Sequence, residues 1–244
     1  MKFERLDPAI VLGAYTVGVF PMADGRDAPG VYWVEPRRRA ILPLDGFHLS
    51  RSLRKTLLAD RFRVTVDRDF PAIIRLCAQA AGDRPETWIN RSIERVFLHL
   101  HETGHAHSIE CWDGDALAGG LYGLALGRAF FSESMVSRAA DASKVALAAL
   151  VARLRAGGFT LLDCQFMTEH LASLGAVEID RADYMALLGA ALGPLVSATG
   201  ASSAPSPASA SAAAADFFAV EAAITSVEAP FSGKDIVQLL THTS

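Results

Sequence analysis

The sequence predicts an α/β protein, a mixed sheet with helices packed on its faces. Three features predict it. The stretch "AHSIECW" runs into Asp113-Gly114, a strong hairpin turn signal, and then into "ALAGGLYGLALG" and "RAFFSESM", which together read as an antiparallel meander. "NRSIERVFLHLHETG" places Ile93, Val96, Phe97 and Leu100 at helical spacing, with Asn90 in the N-cap position and Gly104 as the stop. "ASKVALAALVARLRAGG" reads as a helix ended by Gly157 and Gly158, after which "FTLLDCQF" returns as a buried strand.

Taken in order, residues 1–48 carry many turn-formers, among them Pro8, Gly13, Gly18, Pro21, Gly25, Pro29 and Gly30. They suggest a small, irregular N-terminal domain with short strands such as Val31–Val34. Residues 49–195 form the larger domain. It opens with "FRVTVDR" as a strand, followed by the Asn90 helix and the meander. Asp141 stands where it can cap the next helix, and Gly175 ends a short "TEHLASLG" helix beyond "FTLLDCQF". "DRADYMALLGAAL" is the last helix of this part. Residues 196–215 are Ala/Ser/Pro-rich and almost uncharged, the composition of a flexible linker. Residues 216–244 regain apolar side chains that could dock back on the body.

The chain has 244 residues, of which 51% are hydrophobic and 20% charged, as in ordinary globular proteins. No window approaches the ~18 uninterrupted apolar residues of a membrane span, and no signal-like apolar block follows Met1. Cys77, Cys111 and Cys164 are odd in number with no CxxC spacing, so reduced thiols in a cytoplasmic protein are the simplest account. The net charge of −4 does not favour a nucleic-acid partner. Its distribution is more informative: Arg37, Arg38, Arg39, Arg51, Arg54 and Lys55 face a single acid, Asp45, in that stretch. Such a run binds phosphates or forms a solvated surface, and composition alone does not choose between them.

Three stretches could carry chemistry. His99, His101, His105 and His107 are crowded together, but His99 and His101 would lie about 200° apart on a helix. Strand alternation puts His105, His107 and Cys111 on one face without an obvious fourth ligand, so no metal is expected. In "FFSESMVSR", alternation places Glu133 and Met135 on one face and Ser132 and Ser134 on the other. An acid beside a thioether is the composition of a small-ligand pocket. In "DCQF", Asp163 and Gln165 share a face at the end of a strand, where such sheets bind ligands. A carboxylate in a buried strand is costly unless it is paired or used.

Ten blocks then align the chain with a family. "AYTVGVFPM", "WVEPRRRAIL", "HLSRSLRK", "TWINRSI", "HETGHAHSIECW", "GGLYGLALG", "SESMVSR", "ASKVAL", "LLDCQ" and "HLASLGAVEI" resemble, in order and spacing, the leucyl/phenylalanyl-tRNA–protein transferases. The resemblance covers about Val11 to Leu188 and excludes the linker and terminal segment. Ser132 stands where the family commonly has glycine, and Val136 where it has phenylalanine. Either change could reshape the pocket.

The resemblance implies transfer of leucine or phenylalanine, and methionine less readily, from tRNA to the N-terminal amine of proteins beginning with Arg or Lys. The product is thereby marked for degradation. It implies a small N-terminal domain plus a larger domain similar to the GCN5-type N-acetyltransferases. Residues matching Glu133, Met135, Asp163 and Gln165 would line the site, and those matching Trp33 and Trp88 would lie near the terminal adenosine. The residue chemistry suits this. Ester to amide is downhill, so no ATP, metal or other cofactor is needed, and alignment of the reactants supplies the rate. Asp163 and Glu133 would attract the cationic acceptor, and Gln165 would orient its amine. The Arg37–Lys55 run would contact the tRNA backbone, with Trp33 or Trp88 stacking on adenine. Two rivals remain at this point. One is an acyl-CoA-dependent N-acetyltransferase, for which no Q/R-x-x-G-x-G/A loop precedes a helix. The other is a non-catalytic tRNA-end binding protein.

Overall fold

The computed structural model describes residues 5–79, 87–193, 215–220 and 231–241. Its centre is a seven-stranded sheet in the order β4-β5-β6-β7-β8-β3-β9. The strands are β3 (Arg38–Ile41), β4 (Arg63–Val66), β5 (Ala106–Asp113), β6 (Ala116–Leu126), β7 (Ala129–Ser137), β8 (Leu161–Gln165) and β9 (Val177–Asp180). Neighbours are antiparallel except β7 and β8, which run parallel. That pair needs a crossover, and α5 (Ala142–Ala156) supplies it, while a short α6 (Glu169–Ser173) follows β8. A separate two-stranded sheet pairs β1 (Phe20–Met22) with β2 (Tyr32–Val34). The strand Arg38–Ile41, placed by its turn-formers with the N-terminal lobe, belongs instead to the large sheet, between β8 and β9.

Each sheet face has its own apolar core. On one side lie α5, α2 (Arg51–Leu58) and α8 (Gly233–Thr241), with Leu53, Leu57, Leu147, Leu150, Ile236 and Val237 buried. On the other lie α1 (Pro8–Thr16), α3 (Phe70–Cys77), α4 (Arg91–Glu102) and α7 (Arg181–Leu192), contributing Tyr15, Phe70, Ile93, Phe97 and Tyr184. With both faces covered, α5 and β8 are buried along most of their length, so neither reads as an alternating pattern. Helix α4 follows its sequence pattern: Ile93, Val96, Phe97 and Leu100 are buried, and Asn90 Oδ1 accepts from the Ser92 and Ile93 amides at 3.0 and 2.9 Å. Asp141, expected to cap α5, does not do so. It sits at φ 70°, where its carboxylate pairs with Lys144 at 3.0 Å.

The linker expected at 196–215 lies outside the described residues except for Ala215. Beyond it, Phe217 is 5% exposed and stacks on His107 at 4.2 Å and Phe130 at 5.5 Å. Arg153 Nη1 donates to the Phe217 carbonyl at 2.7 Å. Removing this ring vacates a buried site, so Phe217→Ala is expected to lower the unfolding free energy by about 3–5 kcal/mol in urea denaturation. A loss under about 0.5 kcal/mol, the range of surface changes, would mean the segment leaves the body in solution.

Candidate active site

The parallel ladder between β7 and β8 ends at the Phe131–Asp163 pair, yet both strands continue. Beyond that pair the ladder stops, and Glu133 and Gln165 stand two residues past it, one on each strand. Two local distortions aim these side chains. On β7, Ser134 pairs with Tyr122 and Ser132 with Gly123, so two consecutive β6 residues span three on β7 and Glu133 is the extra one. A bulge of this kind re-aims a side chain. On β8, Gln165 has φ 63°, in the left-handed region.

Glu133 is held on the α1 side of the sheet. The Tyr15 hydroxyl donates to Glu133 Oε1 at 2.7 Å. Glu133 Oε2 and Gln165 Nε2 are both buried without a hydrogen-bond partner, although the nearby Gln165 amide favours the Glu133 carboxylate. Burial raises the Glu133 carboxyl to about 7; the Tyr15 and Gln165 contacts and Arg39 oppose the rise, while Asp163 adds to it. Burial first, and then Glu133, push the Tyr15 hydroxyl well above its ordinary range, so it remains a donor.

Below this pair lies a closed polar network. Asp163 is fully buried and Arg39 is 1% exposed. Arg39 Nε lies 2.9 and 3.0 Å from the two Asp163 oxygens, and Nη2 lies 2.6 Å from Oδ2. The Tyr184 hydroxyl donates to Oδ2 at 2.7 Å, and the Gln165 backbone N–H donates to Oδ1 at 2.8 Å.

These contacts correct three expectations. Arg39 does not meet tRNA phosphates, because it is enclosed and bidentate on Asp163. Asp163 does not present a carboxylate to a cationic acceptor, because Arg39, Tyr184 and the Gln165 amide occupy its oxygens. Glu133 and Met135 do not share a face. The bulge shifts the alternation by one, so Met135 packs with the α5-side core while Glu133 meets Tyr15 of the opposite core. For the same reason Ser132 and Ser134 are on different faces, paired with Gly123 and Tyr122.

The remaining site residues lie apart from this centre. Arg37, Arg51, Arg54 and Lys55 are exposed. Arg38 is exposed too but faces Glu178 at 2.6 Å and Asp180 at 3.3 Å. Trp33 is 41% exposed on β2, across from Pro21. Trp88 is partly buried against the α4-side core, its carbonyl accepting from the Ala23 amide at 3.1 Å. His105, His107 and Cys111 do not converge: His105 bonds the Thr103 carbonyl, His107 bonds Asp67 at 2.7 Å, and Cys111 is core. Sequence reasoning missed Tyr15 and Tyr184, which lie 118 residues from Glu133 and 21 from Asp163. Tyr15 lies in an apolar stretch and Tyr184 follows a charged helix start, and nothing local distinguishes either from ordinary core.

Residues 41–189 match the family model described as leucyl/phenylalanyl-tRNA protein transferase, and residues 4–37 match the model of that family's N-terminal domain. The chain belongs to this family. A relative named leucyl/phenylalanyl-tRNA–protein transferase from Rhizorhabdus wittichii is 58% identical over 99% of the chain and 100% of its own length. Relatives of the same name from Zymomonas mobilis and Maricaulis maris are 59% and 58% identical, over 78% and 75% of the chain and 70% and 84% of their own. Glu133 and Gln165, just past the end of the β7–β8 ladder, therefore lie within the residues matched by the transferase family model.

Proposed function

We propose that the chain transfers leucine or phenylalanine, and methionine less readily, from aminoacyl-tRNA to the N-terminal amine of proteins beginning with Arg or Lys. The observation that carries this reading is the buried Glu133–Gln165 pair just past the end of the β7–β8 ladder, in a chain of this family. The neutral amine attacks the ester carbonyl carbon; a C–N bond forms, the C–O bond to the adenosine breaks, and the proton lost by the nitrogen is matched by the one gained by the departing ribose oxygen, giving an amide and a free ribose hydroxyl. An α-amino group with a pKa near ~8 reaches its neutral form cheaply at neutral pH. Gln165 orients that amine. Glu133, rather than the enclosed Asp163, is the acid placed to meet the acceptor's cationic end. Asp163 acts on the reaction through Gln165 alone.

Arg37, Arg51, Arg54 and Lys55, all exposed, suit contacts to the tRNA backbone. Trp33 offers an open ring for the terminal adenine, and Trp88 a more enclosed one. Arg38 would first have to leave Glu178 and Asp180. No helix among the described residues is long and apolar enough to cross a membrane, which accords with a cytoplasmic enzyme whose products are delivered for degradation.

The test mixes the protein with leucyl-tRNA and an Arg-initiated peptide and follows peptide mass. A gain of one leucine, absent with a Gly-initiated peptide, is the expected result. In a leucyl-tRNA binding titration at several salt concentrations, Arg51→Ala/Arg54→Ala/Lys55→Ala should weaken binding and flatten its log–log salt dependence by up to about 3. Binding of leucyl-tRNA without transfer would leave a tRNA-end binding protein. Acetylation of the peptide from acetyl-CoA would favour the N-acetyltransferase.

A further inference from the structure

We propose that Arg39 is a positioning residue for the transfer step: through Asp163 it fixes the left-handed backbone of Gln165, and so the place of the Gln165 carboxamide opposite Glu133. The inference rests on the transferase reading above and assigns Arg39 a role other than phosphate binding.

Four non-glycine residues among those described have positive φ: Asp60, Asp67, Asp141 and Gln165. Aspartate enters that region readily because its short carboxylate bonds its own backbone; glutamine has no such preference. Gln165 is therefore the conformation that the surroundings must impose. The Asp163 carboxylate supplies a direct restraint on it: Oδ1 accepts the Gln165 amide N–H at 2.8 Å, beside the register of Gln165 opposite Ala40 on β3. Asp163 can hold that amide only if its own rotamer is fixed, and Arg39 fixes it with three contacts of 2.6–3.0 Å.

Arg39 is itself immobilised from three directions. Its guanidinium lies 4.6 Å from the Phe20 ring centroid and 4.8 Å from that of Tyr184. Its Nη1 donates to the Gly18 carbonyl at 3.3 Å. Phe20 and Gly18 belong to the N-terminal region, so Arg39 ties that region to the end of β8. Chains of this kind, in which each group's rotamer is locked by the next, hold a reacting group in place. The work is geometric. An acceptor oxygen at residue 163, held in this position, is what Gln165 needs, and a charge there is not.

Three variants test this against a purely structural role, each assayed for leucyl transfer to the Arg-initiated peptide, for leucyl-tRNA affinity and for melting temperature. Arg39→Met should lower kcat by about 100-fold, the cost of a misplacement near 1 Å, with leucyl-tRNA Kd nearly unchanged. Arg39→Gln/Asp163→Asn keeps a neutral acceptor for the Gln165 amide and should recover about tenfold of that loss, the worth of one restored hydrogen bond. Arg39→Met/Asp163→Leu replaces the buried pair with apolar groups; its melting temperature should match that of the polar pair, but kcat should stay low. The proposal is overturned if Arg39→Met transfers at the wild-type rate. It is also overturned if the apolar and polar pairs recover equally, since folding alone would then account for Arg39. Recovery by neither pair would overturn it as well, showing that charge rather than geometry is required. Failure of the wild-type protein to transfer leucine would instead overturn the transferase reading on which the inference rests.

Discussion

Asp163→Ala is expected to abolish measurable leucyl transfer and to lower the unfolding free energy by about 3–5 kcal/mol. Both effects have one source. The substitution leaves the Arg39 guanidinium, 1% exposed, with no counter-charge, and an uncompensated buried cation is among the costliest single-site defects. It also removes the acceptors of the Tyr184 hydroxyl and the Gln165 amide, so the backbone of Gln165 is free to leave φ 63°. Chemical denaturation and the peptide-mass assay read the two effects separately. A stable variant that had lost only transfer would mean Asp163 takes part in the chemistry itself. A destabilised variant with full activity per folded molecule would mean Gln165 needs no anchor.

The second large effect is on pH dependence. Glu133 is raised from an ordinary 4.5 to about 7, chiefly by burial. Between those two values the folded protein holds a proton on Glu133 that the unfolded chain has released, so stability falls as pH rises across the interval. The contribution is fully present below 4.5 and gone above about 7. At about 1.4 kcal/mol per pH unit, the wild type should lose on the order of 3 kcal/mol relative to Glu133→Gln between pH 4.5 and 8. Denaturation at both pH values checks this, and a difference between the two proteins that does not move with pH would refute it. The same ionisation has a functional counterpart. Above about 7 the carboxylate can meet a cationic acceptor, so Glu133→Gln should raise the KM for the Arg-initiated peptide by about 10–100-fold at pH 8. Below the transition the two proteins should converge in KM.

The elements that were legible in the sequence are those whose signals are local. The Asn90 cap and the Ile93–Leu100 stripe act within one or two turns of chain and appear where their chemistry puts them; the hairpin signal at Asp113-Gly114 is realised one residue later, with Gly114 and Asp115 as the turn and Asp113 paired to Ala116. Helix α3, with its Asp69 cap and Pro71, and strand β9 went unread because they are short and flanked by stronger signals. Asp141 had the composition of a cap but not the conformation, because its backbone is left-handed and its carboxylate goes to Lys144. At the site, Glu133, Asp163 and Gln165 were found as polar residues in apolar strands. What could not be found was which way each faces: a single bulged residue reverses strand alternation, and no local pattern in "FFSESMVSR" marks where it falls.

By itself the sequence determined the class of fold, the family and the short set of polar residues that interrupt its strands, because periodicity, turns and motif order are properties of neighbouring residues. Only the tertiary structure decided which of those residues are free to act. Asp163 and Arg39 are 124 positions apart, and their charges are spent on each other inside the sheet. Glu133 and Tyr15 are 118 apart, and their contact engages one carboxylate oxygen and leaves the other buried near Gln165. Whether a buried charge is an anchor or a reagent depends on the partner that the fold brings to it, and proximity across more than a hundred residues is not written in the order of the chain.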